Sequence, residues 1–392
     1  MKTLELLPKK ELRIIKGDPW AWKADIKTPL QNFEPGEIVR VIDSKGRFVG
    51  VGYINPESLI TVRLLTYEDR EIDYQFFEEK IREALKLRKE LYPEEETFRL
   101  VFSEGDFLPG LVVDKFENLV VFQITTLGME IRKDWIVKAL ENILNPEIIV
   151  ERSDSPVRKK EGLEPVKGIV KGKIEKDIVI RINGLNFAIN PLEGQKTGFF
   201  LDQRENYLLL KNISKGRRVL DAFCNNGAFG IHAFKFGARE VVFLDASERA
   251  LELVRKNLVI NDIKDSYSFI KGDALKLLKE IERKGEKFDM IILDPPAFIK
   301  DRSKLKEGMR GYKEINLRAM KMLRDGGFLL TCSCSHFLSK ENFLKVLEES
   351  AFDSGKIIKI LDFRSQPKDH PYLICLPESN YLKCALLQVM GR

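Results

Sequence analysis

Cysteine is scarce: five residues in 392, an odd number at scattered positions. That excludes a disulfide-built extracellular scaffold and favours a reducing compartment. No Cys or His pair stands at zinc spacing, so no metal is expected. No apolar run is long enough to span a bilayer, and the opening MKTLELLPKKELRIIKG holds no apolar core of signal length. A soluble, cytoplasmic chain without a membrane partner is expected. Neither sign of charge is lacking. Lys and Arg total 66 against 60 Asp and Glu, and the net +6 permits a polyanionic partner without naming one. The length predicts two or three domains, and oligomeric state stays open, a homodimer included.

What is there centres on residues 217–294. Val219 to Phe223 reads as a short apolar strand, Cys224 to Gly230 as a turn, and a helix from near Ala228 stops at Gly237. A second strand, Val241 to Leu244, ends at Asp245, and FIKGDA gives a third strand end at Asp273. The predicted fold class is multidomain α/β with a doubly wound, Rossmann-like core, whose ligands bind at the carboxyl ends of the strands. Gly227 and Gly230 do not fit G-x-G-x-x-G, and no P-loop lysine follows, so a dinucleotide or triphosphate is disfavoured. Asp245 suits a ribose diol, and Asp273 can reach an adenine amino group. Asp221, Asn225, Asn226, Gly227, Asp245, Asp273 and Asp294 resemble the S-adenosylmethionine site of class I methyltransferases. Phe223, Ala246, Ser247 and Ala274 adjoin them and complete the candidate cofactor set.

Ahead of the core, residues 1–72 read as a β-rich module: strands Ile38 to Ile42 and Phe48 to Tyr53 flank the turn SerLysGly, and SLITVRLL supplies another. KGDPWAW, the PGEIVRVIDSKGRFVGVGYINPES hairpin and the VRLL strand resemble a PUA-like β-barrel domain, which implies RNA binding. Residues 73–185 predict a central α+β domain: a helix from Tyr74 to Tyr92, three strands, a helix from Met129 to Leu144, and the strand IIVERS. The run Arg158, Lys159, Lys160 and Lys167, Lys171, Lys173 and Lys176 read as a solvated loop, with phosphate contact as the functional alternative. Residues 186–392 form the predicted methyltransferase domain.

GQKTGFFLDQR, with LDPPAF and TCSCS downstream, resembles the RlmI-like family of ribosomal-RNA cytosine-C5 methyltransferases over nearly the whole chain. The resemblance implies large-subunit ribosomal RNA as substrate. It also implies that Gln195, Lys196, Phe199 and Asp202 lie near the cofactor.

Two stretches carry the chemistry. Asp294-Pro295-Pro296-Ala297-Phe298 follows a strand; its prolines stiffen the loop, and Phe298 can stack on a flipped base. Alone it resembles the loop of enzymes that methylate exocyclic amines, so N2 of guanine or N6 of adenine is the alternative target. GGFLLTCSCSHFLSKENF predicts a turn at Gly326-Gly327 and a buried strand, with Cys332 and Cys334 at its end on one face. Carbon 5 of cytosine is a weak nucleophile, and a thiolate adding to carbon 6 turns the ring into an enamine. Amine methylation needs no such thiol. Thr331-Cys332-Ser333 matches the TCS motif of RNA cytosine-C5 enzymes by letter. Cys334 matches better by distance from Gly326-Gly327 and from Glu341-Asn342, and it is the preferred nucleophile. Ala297 stands where many of those enzymes carry a second cysteine. A non-catalytic RNA-binding protein is the third reading, opposed by the intact set of strand-end aspartates.

Overall fold

The computed structural model describes residues 1–194 and 196–392. It divides into two compact units, one comprising Met1–Arg181, Ile189–Leu201 and Lys368–Ser379, the other Ile182–Ala188, Asp202–Pro367 and Asn380–Arg392.

The first unit holds two five-stranded sheets. One orders Lys2–Glu5, Ile38–Ile42, Phe48–Ile54, Ile60–Thr66 and Trp20–Trp22, with the expected antiparallel hairpin at its centre. Ala21 faces the core, while Trp20 and Trp22 are half-exposed rim residues in edge-to-face contact at 6.1 Å. The other sheet runs Val166–Lys171, Ile148–Ser153, Leu119–Ile124, Leu111–Phe116 and Thr97–Phe102. It shares a core with the helices Tyr74–Leu91 and Lys133–Leu144, which bury Phe76, Phe77, Ile81, Ile136 and Leu140 at helical spacing. Tyr53 and Leu65 of the first sheet belong to that same core, and the Tyr53 hydroxyl donates to the Pro109 carbonyl at 2.7 Å.

The second unit is a seven-stranded sheet. Its strands are β1 (Arg218–Ala222), β2 (Glu240–Asp245), β3 (Tyr267–Lys271), β4 (Phe288–Leu293), β5 (Leu323–Ser333), β6 (Lys356–Arg364) and β7 (Lys383–Gly391). The spatial order is β3-β2-β1-β4-β5-β7-β6, all parallel except β7, which runs antiparallel to β5 and β6. Five helices connect them: α1 (Ala228–Lys235), α2 (Glu248–Ile260), α3 (Ala274–Arg283), α4 (Leu305–Met322) and α5 (Lys340–Ser354). The central strands are nearly all apolar because helices cover both faces of a parallel sheet. The order reverses between β1 and β4, and that is where a crevice opens at the carboxyl ends.

Four expectations are corrected. The helix expected from Met129 to Leu144 is two helices, Leu127–Glu130 and Lys133–Leu144. The basic run is a solvated loop only in part: Lys159, Lys160, Lys173 and Lys176 are exposed, but Arg158 is buried in a 3-10 turn, donating to the Ile124 carbonyl at 2.8 Å and to Glu130 at 2.9 Å, and Val166–Lys171 is a strand. Gly326 and Gly327 lie within β5, which starts at Leu323. The alternation that put both thiols on one face stops at Ser333, where β5 ends, so Cys334 is a loop residue.

In the first unit Arg88 is wholly buried. Its guanidinium donates to Asp106 at 2.5 and 2.7 Å and to the carbonyls of Arg99 and Asp369, both at 2.9 Å. Removing one member of such a pair leaves the other charge buried and uncompensated. Arg88→Ala should therefore lose about 3–5 kcal/mol in urea unfolding; a loss under about 1 kcal/mol would show that water replaces the guanidinium.

Candidate functional site

After β1 the chain turns through Phe223, Asn225 and Gly227, with φ of 62°, 47° and 76°, before α1 begins at Ala228. Asn226, also buried in this turn, accepts the Ala228 amide through Oδ1 at 3.2 Å. Asp221 at the strand end is 1% exposed; its Oδ2 accepts the Gly230 amide at 2.8 Å. Its Oδ1 is also buried and has no hydrogen-bond partner among the described residues. A Cβ at position 230 would come within 2.3 Å of the Phe243 ring, so glycine is what lets α1 close on the carboxylate. Burial pushes the Asp221 carboxyl up to about 8, against the lowering effect of the Gly230 amide and with the added repulsion of Asp294 and Asp245.

Asp245 ends β2 half-buried, its carboxylate held by the Asn225 amide and by the Ser247 amide, both at 2.9 Å. Ala246 and Ser247 follow it, exposed, and Ser247 caps α2. Asp273 caps α3 by accepting the Leu275 amide at 2.9 Å, and Ala274 is the buried first residue of that helix. The four strand-end aspartates thus line one edge of the sheet, each fixed by backbone amides or a neighbouring side chain.

The second half of the site lies at the ends of β4 and β5. Asp294 Oδ1 accepts Gln203 Nε2 at 2.9 Å, and the buried Asp202 accepts the Tyr381 hydroxyl at 2.7 Å. Tyr207 is fully buried; burial raises its phenol well above the usual range, and the charges of Asp294, Asp202 and Asp221 raise it further. Three carboxylates therefore gather around one phenol. The Phe298 ring stands edge-on to Phe223 at 6.4 Å and lies 4.7 Å from Tyr312, which joins the Asp294 loop to the turn after β1. Gly308 of α4 makes room for that loop, since a Cβ there would lie 2.2 Å from Ile299.

The two thiols differ. Cys332 is fully buried, opposite Cys384 in the β5–β7 ladder, and burial raises its thiol well above the ordinary value. Cys334 is half-exposed one residue past the strand, and its Sγ donates to the Pro295 carbonyl at 3.8 Å. The thiol that can meet a ligand is Cys334, beside the Asp294 loop.

Of the remaining sequence candidates, Gln195 lies outside the described residues. Lys196 and Phe199 belong to the first unit, Lys196 exposed with its ammonium over the Phe200 ring at 4.5 Å, Phe199 buried. Sequence reasoning missed Gln203, Tyr207, Tyr312 and Ser335. Tyr312 carried a signal, since Gly308, Tyr312, Ile315 and Ala319 recur at helical spacing on the buried face of α4. Among the described residues no three His, Cys, Asp or Glu side chains are grouped to hold a metal, and no helix is long and apolar enough to cross a membrane.

Comparison with known proteins bears on the ligand. Residues 4–67 match the family model of a PUA-like domain, and residues 168–376 that of the S-adenosylmethionine-dependent methyltransferases. The chain is 38% identical to ribosomal RNA large subunit methyltransferase I of Tolumonas auensis, covering 97% of this chain and 98% of that one. It is 36% identical to the protein of the same name from Alteromonas mediterranea, covering 98% of each. Two solved structures share the fold: a candidate methyltransferase complexed with SAH and a candidate SAM-dependent methyltransferase from Streptococcus mutans. Their TM-scores are 0.85 and 0.83, each at 20% identity, covering 99% of this chain and 100% of the other.

The residues present fit S-adenosylmethionine. The orphaned, buried Oδ1 of Asp221 suits the ammonium of its methionine end, and the rigid carboxylate of Asp245 keeps lone pairs for a ribose diol. A raised carboxyl favours the protonated folded form. The stability it contributes is full below the unfolded value near 4 and is lost as pH rises through about 8. Unliganded protein should therefore lose stability relative to Asp221→Asn between those values, at roughly 1.4 kcal/mol per pH unit. Parallel urea-unfolding curves for the two proteins across that range would contradict it.

Proposed function

The chain belongs to the ribosomal RNA large subunit methyltransferase I family, and on that premise we propose that it methylates carbon 5 of a cytosine in large-subunit ribosomal RNA through a covalent adduct with Cys334. The observation that carries this reading is the position of the Cys334 thiol. It is half-exposed and bonded to the Pro295 carbonyl of the loop whose Asp294 and Phe298 can hold a planar base. Cys332, buried against Cys384, supports the sheet.

S-adenosylmethionine, bound along Asp221, Asn225, Gly227, Asp245 and Asp273, supplies an electrophilic methyl group. The protein's part is to make the base reactive. Phe298, braced by Tyr312, presents a ring on which a flipped cytosine stacks. Cys334 Sγ forms a bond to carbon 6, and the electron pair moves to carbon 5. Asp294, oriented by Gln203, acts in its protonated form, donating a hydrogen bond to N3 and so steadying the negative charge that develops in the ring. Once carbon 5 carries the methyl group, loss of its proton to a base reforms the double bond and expels the Cys334 thiolate.

Residues 1–72 are assigned to RNA docking, 73–185 to the central α+β domain and 186–392 to methyl transfer. An enzyme whose substrate is ribosomal RNA would act in the cytoplasm. The Asp294–Phe298 loop would serve an exocyclic amine equally well, so the thiol separates the two chemistries.

RNA containing 5-fluorocytidine should trap the enzyme, because fluorine cannot leave as a cation and the adduct persists. Cys334→Ala should abolish trapping and lower turnover by a thousandfold or so, on the order of a lost catalytic nucleophile. Cys332→Ala should retain trapping. Denaturing gels read the adduct, and a Cys334→Ala enzyme that is trapped as fast as the wild type would remove this thiol from the reaction.

A further inference from the structure

A buried lysine stands on the strand next to β5, level with the residue before the thiol. β7 begins where β5 ends, and Lys383, its first residue, pairs with Ser333, one residue before Cys334. Lys383 is 6% exposed, yet among the described residues no carboxylate forms an ion pair with it. Its ammonium donates to the Ser335 carbonyl at 2.7 Å and to the Tyr381 carbonyl at 2.6 Å. Two of its three N–H bonds are thus committed to neutral acceptors, and one remains. Lysine is seldom buried unless paired, because desolvating an ammonium is costly. Ser335 is pinned further. Its Oγ is 2.8 Å from the Tyr312 hydroxyl and accepts the Ile299 amide at 3.1 Å. The backbone on the carboxyl side of Cys334 is therefore fixed to β7, to α4 and to the loop that carries Phe298.

We propose that Lys383 is a positioning residue that acts through Cys334, supplying the positive charge that holds this thiol as a thiolate at neutral pH. The inference rests on the reading of Cys334 as the nucleophile. Burial lowers the Lys383 ammonium to about 8, and the charge of Cys334 acts on it in the raising direction. Each group favours the ionised form of the other, as an ammonium and a thiolate must. Other titratable groups also face this turn, and His336, exposed two residues past Cys334, is one of them. Tyr381 donates its hydroxyl to Asp202, Asp294 is engaged by Gln203, the Tyr312 hydroxyl lies against Ser335, and Cys332 is held protonated by burial beside Cys384.

The test is the pH profile of Cys334 alkylation. Full-length enzyme saturated with S-adenosylhomocysteine is treated with iodoacetamide from pH 5.5 to 10, and the Cys334 peptide is read by mass spectrometry. In Lys383→Met the midpoint should rise by about one unit or more, and alkylation at pH 7 should fall roughly tenfold. Lys383→Arg, which keeps the charge, should keep the wild-type midpoint. A Met variant with the wild-type midpoint overturns the proposal, whatever its turnover, and so does an Arg variant displaced as far as Met. If Lys383→Met does not fold, as judged by melting and cofactor binding, the reciprocal measurement decides. Competitive acetylation should find Lys383 titrating lower in Cys334→Ala than in the wild type, and an unchanged midpoint overturns the proposal. Failure here is distinguishable from failure of the nucleophile assignment, because alkylation reports ionisation and 5-fluorocytidine trapping reports attack.

Discussion

The site depends on one constraint of the seven-stranded sheet. β1 and β4 lie side by side, but their connections leave in opposite directions, so no loop crosses the gap between their carboxyl ends. The strands themselves are buried on both faces and can carry polar groups only where they end. Asp221, Asp245 and Asp294 stand at those ends, and the crevice collects them by topology. The consequence is electrostatic: carboxylates packed near a buried phenol and near one another raise the cost of charging Asp221 until a cation arrives. A positively charged sulfonium with an ammonium tail answers that need better than a phosphate would.

The chemistry on the base side follows from how β5 ends. Inside the strand a cysteine is a small apolar residue, and Cys332 is used as one. Two residues later the ladder has stopped, and Cys334 is half-exposed while its neighbours remain anchored through Ser335. Rigidity and exposure are thus separated by a single residue. The Asp294 loop is likewise held from outside: Gly308 removes a side chain from its path, and Tyr312 backs the Phe298 ring. The result is a thiol, a carboxylate and an aromatic face brought together from the loops that follow β5 and β4, with α4 behind them.

Much of this was legible in the sequence because it is local. Apolar runs ending in aspartate located β1, β2 and β4, and the Gly-rich turn located α1. The SerLysGly turn located the hairpin of the first sheet. What failed was tertiary. Arg158 reads as one member of a basic run, and nothing in the run says that Ile124 and Glu130 will draw it inside. Lys383 sits in an unremarked YLKC stretch, far in sequence from the cysteine it pairs beside, and only the antiparallel β5–β7 ladder brings them together. Distance from Gly326-Gly327 and Glu341-Asn342 ranks the two thiols, and burial distinguishes the same two residues; the separate argument that both share one face does not hold, since a period of two applies only while the strand lasts.

The central claim is that the methyl group is placed on carbon 5 of a cytosine, and hydrogen leaves that carbon in no competing chemistry considered for this site. Large-subunit ribosomal RNA labelled with tritium at cytosine carbon 5, with a second label in the transferred methyl group, measures both events in one reaction. The account predicts one tritium released to solvent for each methyl group incorporated. Methyl incorporation with the tritium fully retained would contradict it, and the acceptor would then be an amine.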